Sequence, residues 1–242
     1  MNKHIFALYY PLDKTYKHTF QINLTDIEIV HRIKRILRLQ KGEQCIFFDQ
    51  QYHLLVELID EQAKKLIFSV ISYEENKQWN TKITFFLPIL KKETLVQAVY
   101  SLVEAGVSCI QLVHTEKCHR SFGGQREFER LKRIIISAAE QSKNYNFPQL
   151  IAPITFQQAI EFCKPENAYL ASVNGLSFGT VICSLAELDA YNLMIGPEAD
   201  LSIKEIQMVD KKGINRVSLT PTILRAETAA FFTAASFRSI LK

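Results

Sequence analysis

The sequence predicts an α/β protein in which a small antiparallel barrel or sheet precedes a parallel sheet with helices. Three observations support this prediction. Short strand-like apolar runs, separated by turn-forming residues, fill the region before residue 72. From residue 83 onward, apolar strands alternate with amphipathic helical patterns, as in strand–helix–strand units. The chain has 242 residues, 48% of them hydrophobic, which is enough to bury a full core.

The first part contains four predicted strands and one predicted helix. The strand-like runs cover residues 5–10, 45–48, 54–59 and 66–71. Thr25 and Glu28 have the spacing of a capping box, in which each side chain satisfies a backbone N–H of the other residue. Apolar residues then recur at helical intervals, at Ile29, Ile33, Ile36 and Leu37. A helix is therefore expected to begin near residue 26.

That helix carries a cluster of basic residues: Arg32, Lys34, Arg35, Arg38 and Lys41. Such side chains can neutralise nucleic-acid phosphates, but a solvated helix face has the same composition, so both interpretations remain open. The polar segment 73–82 that follows the last predicted strand is expected to be a linker.

The second part begins with a strand–helix–strand pattern over residues 83–87, 92–105 and 107–113, which indicates a parallel sheet. A helix through Phe128, Leu131, Ile135 and Ala138 is expected to end near residues 140–142, and regular structure to stop at Phe147-Pro148. Thr155 and Gln158 form a second capping box, opening a helix that reaches Phe162.

The C-terminal third contains three strand-like runs, each followed by a loop. Residues 168–173 lead to Asn174-Gly175, residues 192–195 lead to Gly196-Pro197, and residues 217–219 precede the last loop. Ser202 and Glu205 form a third capping box, and the amides of that helix start are expected to suit a polar ligand group. The last helix starts near Arg225, and its stripe of small residues suits either a core or a dimer: Ala226, Ala229, Ala230, Ala234 and Ala235.

Composition and motifs exclude several classes of function. The net charge of +4 is too small to indicate a nucleic-acid partner by itself. The five cysteines contain no CxxC pair, so neither a disulfide framework nor a zinc site is predicted, and His114, Cys118 and His119 lack a fourth ligand. The polar start Met1-Asn2-Lys3-His4 and the lack of a long apolar run predict a cytoplasmic protein with no membrane span. Nucleotide-binding and hydrolase motifs such as GxGxxG and GxSxG are missing.

Several short motifs, in a fixed order, resemble one known family. They are His31 with Ile36-Leu37-Arg38 and Gly42, Glu104 with Gly106-Val107, Thr115-Glu116, Ala138-Ala139-Glu140-Gln141-Ser142 with Pro148, Ile195-Gly196-Pro197-Glu198, and Ile223-Leu224-Arg225-Ala226-Glu227-Thr228-Ala229. The chain resembles, over nearly its whole length, the ribosomal RNA uridine-N3 methyltransferases of the RsmE type, which belong to the SPOUT class. The pair of GPE and LRAETA motifs at this separation is the most specific part of the resemblance.

The resemblance implies a fold, a cofactor and partners. Residues 1–73 are expected to form a PUA-like β-barrel that binds RNA, and residues 74–242 a SPOUT-type trefoil-knotted parallel-sheet domain. The cofactor is S-adenosylmethionine, and the partners are ribosomal RNA of the small subunit and a second copy of the chain in a homodimer, with no metal. The implied cofactor-binding residues are Leu170, Ile195, Gly196, Pro197, Glu198, Leu219, Thr220, Ile223 and Leu224.

The resemblance also implies catalytic and RNA-binding residues. Uridine N3 must lose a proton when it is methylated. Either a carboxylate accepts this proton, for which Glu227 or Glu140 is expected, or positive charge and N–H donors stabilise the forming anion, for which Arg225 is expected. The alternative is that Arg225 and Glu227 only cap or pair the last helix, and that Glu140 lies on a solvated helix end. The residues expected to contact RNA are His31, Arg32, Arg35 and Arg38.

The chain departs from the family where the cofactor would bind. Ala199 and Asp200 stand where the family loop has two glycines, and Thr220 stands where it has another. Glycines there allow unusual φ angles and close approach of a ligand. Two hypotheses follow. The chain is an active methyltransferase whose altered loop accepts S-adenosylmethionine, or it is an impaired relative that binds RNA and no longer binds the cofactor well.

Overall fold

The computed structural model describes residues 5–12, 14–183, 185 and 187–241, and the start Met1-Asn2-Lys3-His4 lies outside these residues. The chain divides into two compact units. The first comprises the residues up to Gln78 together with Ala139–Asn146, and the second comprises Trp79–Ala138 together with the residues from Phe147 onward. The last strand of the first unit continues to Glu75, two residues beyond the expected boundary after residue 73.

The first unit is built on a five-stranded sheet. Its strands are β1 (Phe6–Tyr9), β2 (Gln21–Leu24), β3 (Gln44–Phe48), β4 (Tyr52–Glu61) and β5 (Leu66–Glu75), in the order β1-β3-β4-β5-β2. The four predicted strands are present, and β2 is an addition that its short length concealed. The sheet is not purely antiparallel, because β1 pairs with β3 in parallel. The long connection between these two strands permits that arrangement.

The core of the first unit follows from the alternation of its strands. Leu54, Val56 and Leu58 of β4 are fully buried, while the residues between them are partly exposed. Successive side chains of a strand point to opposite faces, so every second residue of β4 enters the core. Ile33 from the helical segment joins this core and is also fully buried.

The helical segment of the first unit begins one residue later than its sequence predicts. Helix α1 (Ile27–His31) is capped by Asp26, whose carboxylate accepts from the Ile29 N–H at 3.0 Å. The predicted Thr25 cap is therefore wrong, because the neighbouring aspartate is an equally good cap and supplies the acceptor instead. The helix continues as a π-helix over Arg32–Leu37 and ends at Arg38, whose φ of 52° is left-handed.

The second unit contains a six-stranded sheet in which every ladder is parallel, which confirms the predicted α/β class. Its strands are β6 (Lys82–Pro88), β7 (Cys109–His114), β8 (Gln149–Thr155), β9 (Ala168–Ser177), β10 (Ala190–Met194) and β11 (Asn215–Ser218), in the order β11-β9-β10-β6-β7-β8. The helices are α2 (Lys92–Glu104), α3 (Gly124–Ser142), α4 (Phe156–Phe162), α5 (Phe178–Cys183), α6 (Ile203–Lys212) and α7 (Ala226–Ile240). None of the helices that the structure describes combines the length and apolar composition that crossing a membrane requires.

Local capping signals are accurate in this unit. Both predicted capping boxes, at Thr155 and at Ser202, are present with their reciprocal hydrogen bonds. Regular structure does not stop at Pro148, however, since β8 starts at the next residue. A proline just before a strand costs no ladder hydrogen bond, which explains why it did not end the structure.

Helix α7 packs on α2 and on strands β6 and β10. Ala226, Ala230 and Ala234 are buried, as is Phe237 at the same face. The core interpretation of the stripe therefore holds for these three alanines.

Candidate functional site

A cavity of about 880 Å³ opens in the second unit, beside the carboxyl ends of its strands. Three segments form its walls: the loop after β10, the loop between β11 and α7, and the middle of β9. Parallel sheets place ligands at this edge, where strand ends meet loops and helix starts. The structure brings together in this lining all nine residues that the resemblance assigns to the cofactor: Leu170, Ile195, Gly196, Pro197, Glu198, Leu219, Thr220, Ile223 and Leu224.

A bulge in β9 supplies one wall. The β9–β11 ladder jumps from the pair Leu170–Arg216 to the pair Leu176–Val217, so residues 171–175 have no counterpart in β11. Residues 171–174 of this bulge line the cavity. The expected loop at Asn174-Gly175 is therefore part of an irregular strand, because the bulge leaves the chain in the sheet afterwards.

Gly175 ends the bulge where two backbones approach closely. A Cβ atom on Gly175 would lie 2.4 Å from the Val217 nitrogen and 2.5 Å from the Arg216 carbonyl carbon. No side chain fits at these distances, so the glycine is required by the approach of β11. In a sequence, a single glycine within a strand-like run is a sign that another backbone approaches closely.

The loop after β10 has Ala199 and Asp200 where the resembled family has two glycines. Asp200 has a φ of 60°, a left-handed conformation that aspartate tolerates better than most residues. Its N–H donates to the Pro197 carbonyl at 2.9 Å, and its carboxylate accepts from the Leu201 N–H at 2.7 Å. A Cβ atom on Gly196 would lie 3.1 Å from the same carboxylate, so Asp200 packs directly over Gly196 at the cavity rim.

Two side chains anchor this loop to the rest of the second unit. The Glu198 carboxylate accepts from the backbone N–H of Lys91, at the start of α2, at 2.9 Å. Lys117 donates to the Leu201 carbonyl at 3.0 Å. The glutamate of the GPE motif therefore has a structural contact as well as a place in the cavity lining.

The start of α6 is satisfied within the chain. Glu205 is buried, with an exposed fraction of 2%, and accepts from the N–H groups of Ser202 and Glu116, both at 2.8 Å. Ser202 in turn accepts from the Glu205 N–H. The expectation that these amides face a ligand is wrong for Ser202 and Glu205, because the capping box uses them. The contact also explains the position of the Thr115-Glu116 motif.

Arg225 and Glu227 stand at the start of α7 and both line the cavity. Arg225 is the N-cap residue of α7, yet its side chain makes no capping hydrogen bond. Within the described part of the chain, neither side chain forms an ion pair or a hydrogen bond. A cation and a carboxylate that no structural contact uses are therefore available at one cavity, and the interpretation that they merely cap or pair the last helix does not match the structure.

Glu140 is not in the cavity lining. Its carboxylate accepts from both terminal nitrogens of Arg32, at 3.1 and 2.6 Å, and from the Tyr9 N–H at 3.0 Å. The Glu140 side chain is only 10% exposed. A two-pronged, partly buried ion pair of this kind holds its partners in one geometry, so Glu140 and Arg32 have a structural role in the first unit.

The basic cluster of the first unit is consequently smaller than its sequence suggests. Lys34 pairs with Glu61 at 3.0 Å, and Arg32 pairs with Glu140. His31, Arg35 and Arg38 are exposed and have no hydrogen bond or ion pair through their side chains among the described residues. Among the four residues predicted to contact RNA, these three have side chains that no ion pair or hydrogen bond uses in the part of the chain that the structure describes.

Among the residues that the structure describes, no group of three histidine, cysteine or acidic side chains is close enough to hold a metal ion. Cys118 lies 3.2 Å from the Thr115 hydroxyl, a contact inside one turn.

Comparison with known proteins relates the chain to RNA-modifying enzymes. Residues 77–238 match the family model described as RNA methyltransferase domain. The ribosomal RNA small subunit methyltransferase E of Synechocystis sp. is 28% identical over 225 residues, which cover 91% of this chain and 74% of that protein.

Two solved structures share the fold at 23% identity, with 98% of each chain covered. A putative methyltransferase from Legionella pneumophila, in complex with S-adenosylmethionine, superposes with a TM-score of 0.84. A ribosomal RNA small subunit methyltransferase E from Neisseria gonorrhoeae, bound to S-adenosyl methionine, superposes with a TM-score of 0.83.

Proposed function

The chain belongs to the RNA methyltransferase domain family, and we propose that it transfers a methyl group from S-adenosylmethionine to N3 of a uridine in 16S ribosomal RNA. One observation carries this proposal. The cavity lining joins Arg225 and Glu227 to the two loops that the GPE and LRAETA motifs supply. Relatives that are named ribosomal RNA small subunit methyltransferase E support the choice of substrate.

The cavity fits the cofactor in size and chemistry. Its volume of about 880 Å³ lies within the range of small-molecule sites, which are mostly apolar with a few polar groups. Leu170, Ile195 and Leu219 provide apolar surface for the adenine ring, and Asp200 provides a carboxylate at the rim for the positively charged end of the molecule. When bound, S-adenosylmethionine supplies an electrophilic methyl group on a sulfonium.

The residues of the chain have two tasks in the reaction. Glu227 accepts the N3 proton of the uridine, which turns the nitrogen into a nucleophile. Arg225 stabilises the negative charge that spreads from N3 to the neighbouring carbonyl oxygens. The loops on either side would position the base beside the cofactor, and such positioning supplies much of the rate of a group transfer. Glu227 is preferred to Glu140 as the proton acceptor, because Arg32 and the Tyr9 N–H already bind Glu140.

Two variants separate catalysis from binding. Arg225→Ala and Glu227→Gln are expected to lower methyl transfer by about 10²- to 10⁴-fold. Titration calorimetry should still detect S-adenosylmethionine binding to both. The matched control is Glu166→Gln, which removes an exposed carboxylate outside the cavity lining. Unchanged methyl transfer in both variants would contradict the assigned roles.

Residues 1–73 are proposed to bind the RNA as a PUA-like barrel, and residues 74–242 to form a trefoil-knotted catalytic domain. The mixed five-stranded sheet and the exposed His31, Arg35 and Arg38 support the RNA role. Replacing Arg35 and Arg38 by alanine should make the slope of log K against log salt for RNA binding shallower, by the amount expected for about one to two lost phosphate contacts. An unchanged salt dependence would move the RNA surface elsewhere.

A homodimer in the cytoplasm completes the proposal. The exposed aromatic residues Phe231 and Phe232 on α7 support a partner surface there, since their exposed fractions are 42% and 38%. Sedimentation at micromolar concentration should give twice the chain mass of 27.9 kDa, and Phe231→Ser with Phe232→Ser should give the monomer mass. A wild-type chain that sediments as a monomer would refute the dimer.

The alternative, an RNA-binding relative without cofactor affinity, is not favoured. The departures that motivate it, Ala199, Asp200 and Thr220, all line a cavity that remains open, and Asp200 adopts the left-handed conformation itself. Saturable binding of S-adenosylmethionine excludes the alternative, whereas RNA binding without any such signal would restore it.

A further inference from the structure

The exposed face of α3 carries three arginines that take no part in the site. Arg126, Arg130 and Arg133 follow the spacing of one helix face, and all three are exposed. Leu131, Ile135 and Ala138 lie on the opposite face and are buried. At about 100° per residue, the arginines occupy a narrow arc directed away from the core. We refer to these three residues as the arginine stripe.

The acidic side chains near the stripe bind other groups. Glu127 pairs with Arg120 at 2.6 Å, and Glu129 accepts from Gln125 at 2.8 Å and from Lys132 at 3.1 Å. Among the described residues, no carboxylate lies within 4 Å of a stripe arginine. Like charges three and four residues apart on a helix repel each other. The stripe therefore carries three unneutralised charges at a cost to the isolated helix.

We propose that the arginine stripe is a second RNA contact, which binds the phosphate backbone of the ribosomal RNA substrate; the identity of that RNA rests on the proposed function. Arginine presents a planar fork of donors that matches phosphate geometry. The stripe extends over eight residues, from Arg126 to Arg133, which is about 10 Å along the helix axis. That length matches about three nucleotides of one strand at 3.4 Å each.

The surroundings of the stripe favour a nucleic acid over an acidic protein. Protein interfaces depend on buried apolar and aromatic anchors at their centre. Within α3 (Gly124–Ser142), no large hydrophobic side chain is exposed. A surface with charge and no apolar anchor suits a polyanion, for which release of counterions provides the binding free energy.

The test measures binding of the full chain to in vitro transcribed 16S ribosomal RNA at several salt concentrations. Replacing Arg126, Arg130 and Arg133 together by alanine should weaken binding by about 100-fold at 0.1 M salt and reduce the slope of log K against log salt by about two to three. The matched control replaces the exposed Lys164, Lys204 and Lys211 by alanine, which removes the same charge from α6 and the loop after α4. It should keep the wild-type slope.

Two results would overturn the inference: an unchanged slope in the arginine variant, or an equal loss in the lysine control, which would reduce the effect to net charge. Calorimetry with S-adenosylmethionine on both variants checks that the fold and cavity persist, because the stripe is outside the cavity lining. If the wild-type chain fails to bind S-adenosylmethionine while the arginine variant alone loses RNA affinity, the stripe stands and the proposed function fails.

Discussion

A single methyl group at Gly175 should separate two strands and distort the cavity. In Gly175→Ala, the new Cβ would meet the Val217 nitrogen at 2.4 Å and the Arg216 carbonyl oxygen at 2.6 Å. Both are backbone atoms, so no side chain can rotate away to make room. Strand β11 must therefore move. The next two residues of the chain, Leu219 and Thr220, line the cavity, so its wall moves as well.

The loss of stability in Gly175→Ala can be calculated from the displacement of β11. Overpacking a well-packed site costs about 1–3 kcal/mol. The shift also strains the ladder pairs Leu176–Val217 and Ser177–Ser218, whose hydrogen bonds contribute about 1 kcal/mol each. We therefore expect Gly175→Ala to lower the free energy of unfolding by about 3 kcal/mol. We also expect weaker S-adenosylmethionine binding, since the cavity wall is displaced.

Urea unfolding and calorimetry measure the two effects, and the chain supplies a matched control. Gly179 lies four residues later, in α5, and a Cβ atom there would meet nothing within 4 Å. Gly179→Ala should leave stability unchanged or raise it by about 0.5–1 kcal/mol, because alanine favours the helix. A Gly175→Ala variant within about 0.5 kcal/mol of wild type would refute the close approach of the two strands.

Three further perturbations test the loops around the cavity and the start of α3. Asp200→Gly should preserve or slightly raise the unfolding free energy, whereas Asp200→Val should lower it by about 1–2 kcal/mol, because a left-handed φ is free for glycine and costly for a β-branched residue. Glu205→Gln should cost about 1–3 kcal/mol in urea unfolding, since an amide group replaces one of two buried acceptors and leaves the Ser202 or Glu116 N–H without a partner. Burial raises the pKa of Glu127, but the hydrogen bonds from Arg120 and Gly123 outweigh burial and hold that pKa below its ordinary 4.5. The stability that Glu127 contributes is therefore present above about pH 4.5 and is lost as the pH falls through the lower folded value, so wild type and Glu127→Gln should converge in acid.

Each of these predictions has a contradicting result. Equal stability of Asp200→Gly and Asp200→Val would show that the left-handed turn is not under strain. Glu166→Gln replaces an exposed side chain and should change the free energy of unfolding by less than about 0.5 kcal/mol. If this control lost as much stability as Glu205→Gln, the loss in Glu205→Gln could not be assigned to the buried hydrogen bonds. A difference between wild type and Glu127→Gln that stays constant from pH 7 to about pH 3 would show that its pKa is not lowered by folding.

Local signals in the sequence predicted most of the second unit. The capping boxes at Thr155 and Ser202 and the strand–helix alternation depend only on neighbouring residues, so they hold in the structure. The failure at Thr25 is also local, because Asp26 next to it is a competing cap.

Features that depend on distant residues were not predictable in this way. The parallel pairing of β1 with β3, the ion pair between Arg32 and Glu140 across 108 residues, and the use of Glu205 by Glu116 all depend on the completed fold. The sequence therefore overestimates the number of unpaired basic side chains in this cluster, because it does not show which of them have an acidic partner.

The candidate site was predictable only through the family motifs. Spacing alone indicated a ligand loop after two strands, and the motifs identified which residues of those loops would meet. The closeness of Gly175 to Val217 and the left-handed Asp200 are properties of backbone geometry. Asp200 itself adopts a left-handed φ, which aspartate tolerates better than most residues.

Nucleoside mass analysis of small-subunit ribosomal RNA shows whether this protein methylates a uridine there. Small-subunit RNA from cells lacking this protein is compared with RNA from cells complemented by the wild-type chain or by Arg225→Ala. We expect 3-methyluridine to be absent without the protein, restored by wild type and not restored by Arg225→Ala. An unchanged 3-methyluridine content in the cells without the protein would contradict the account.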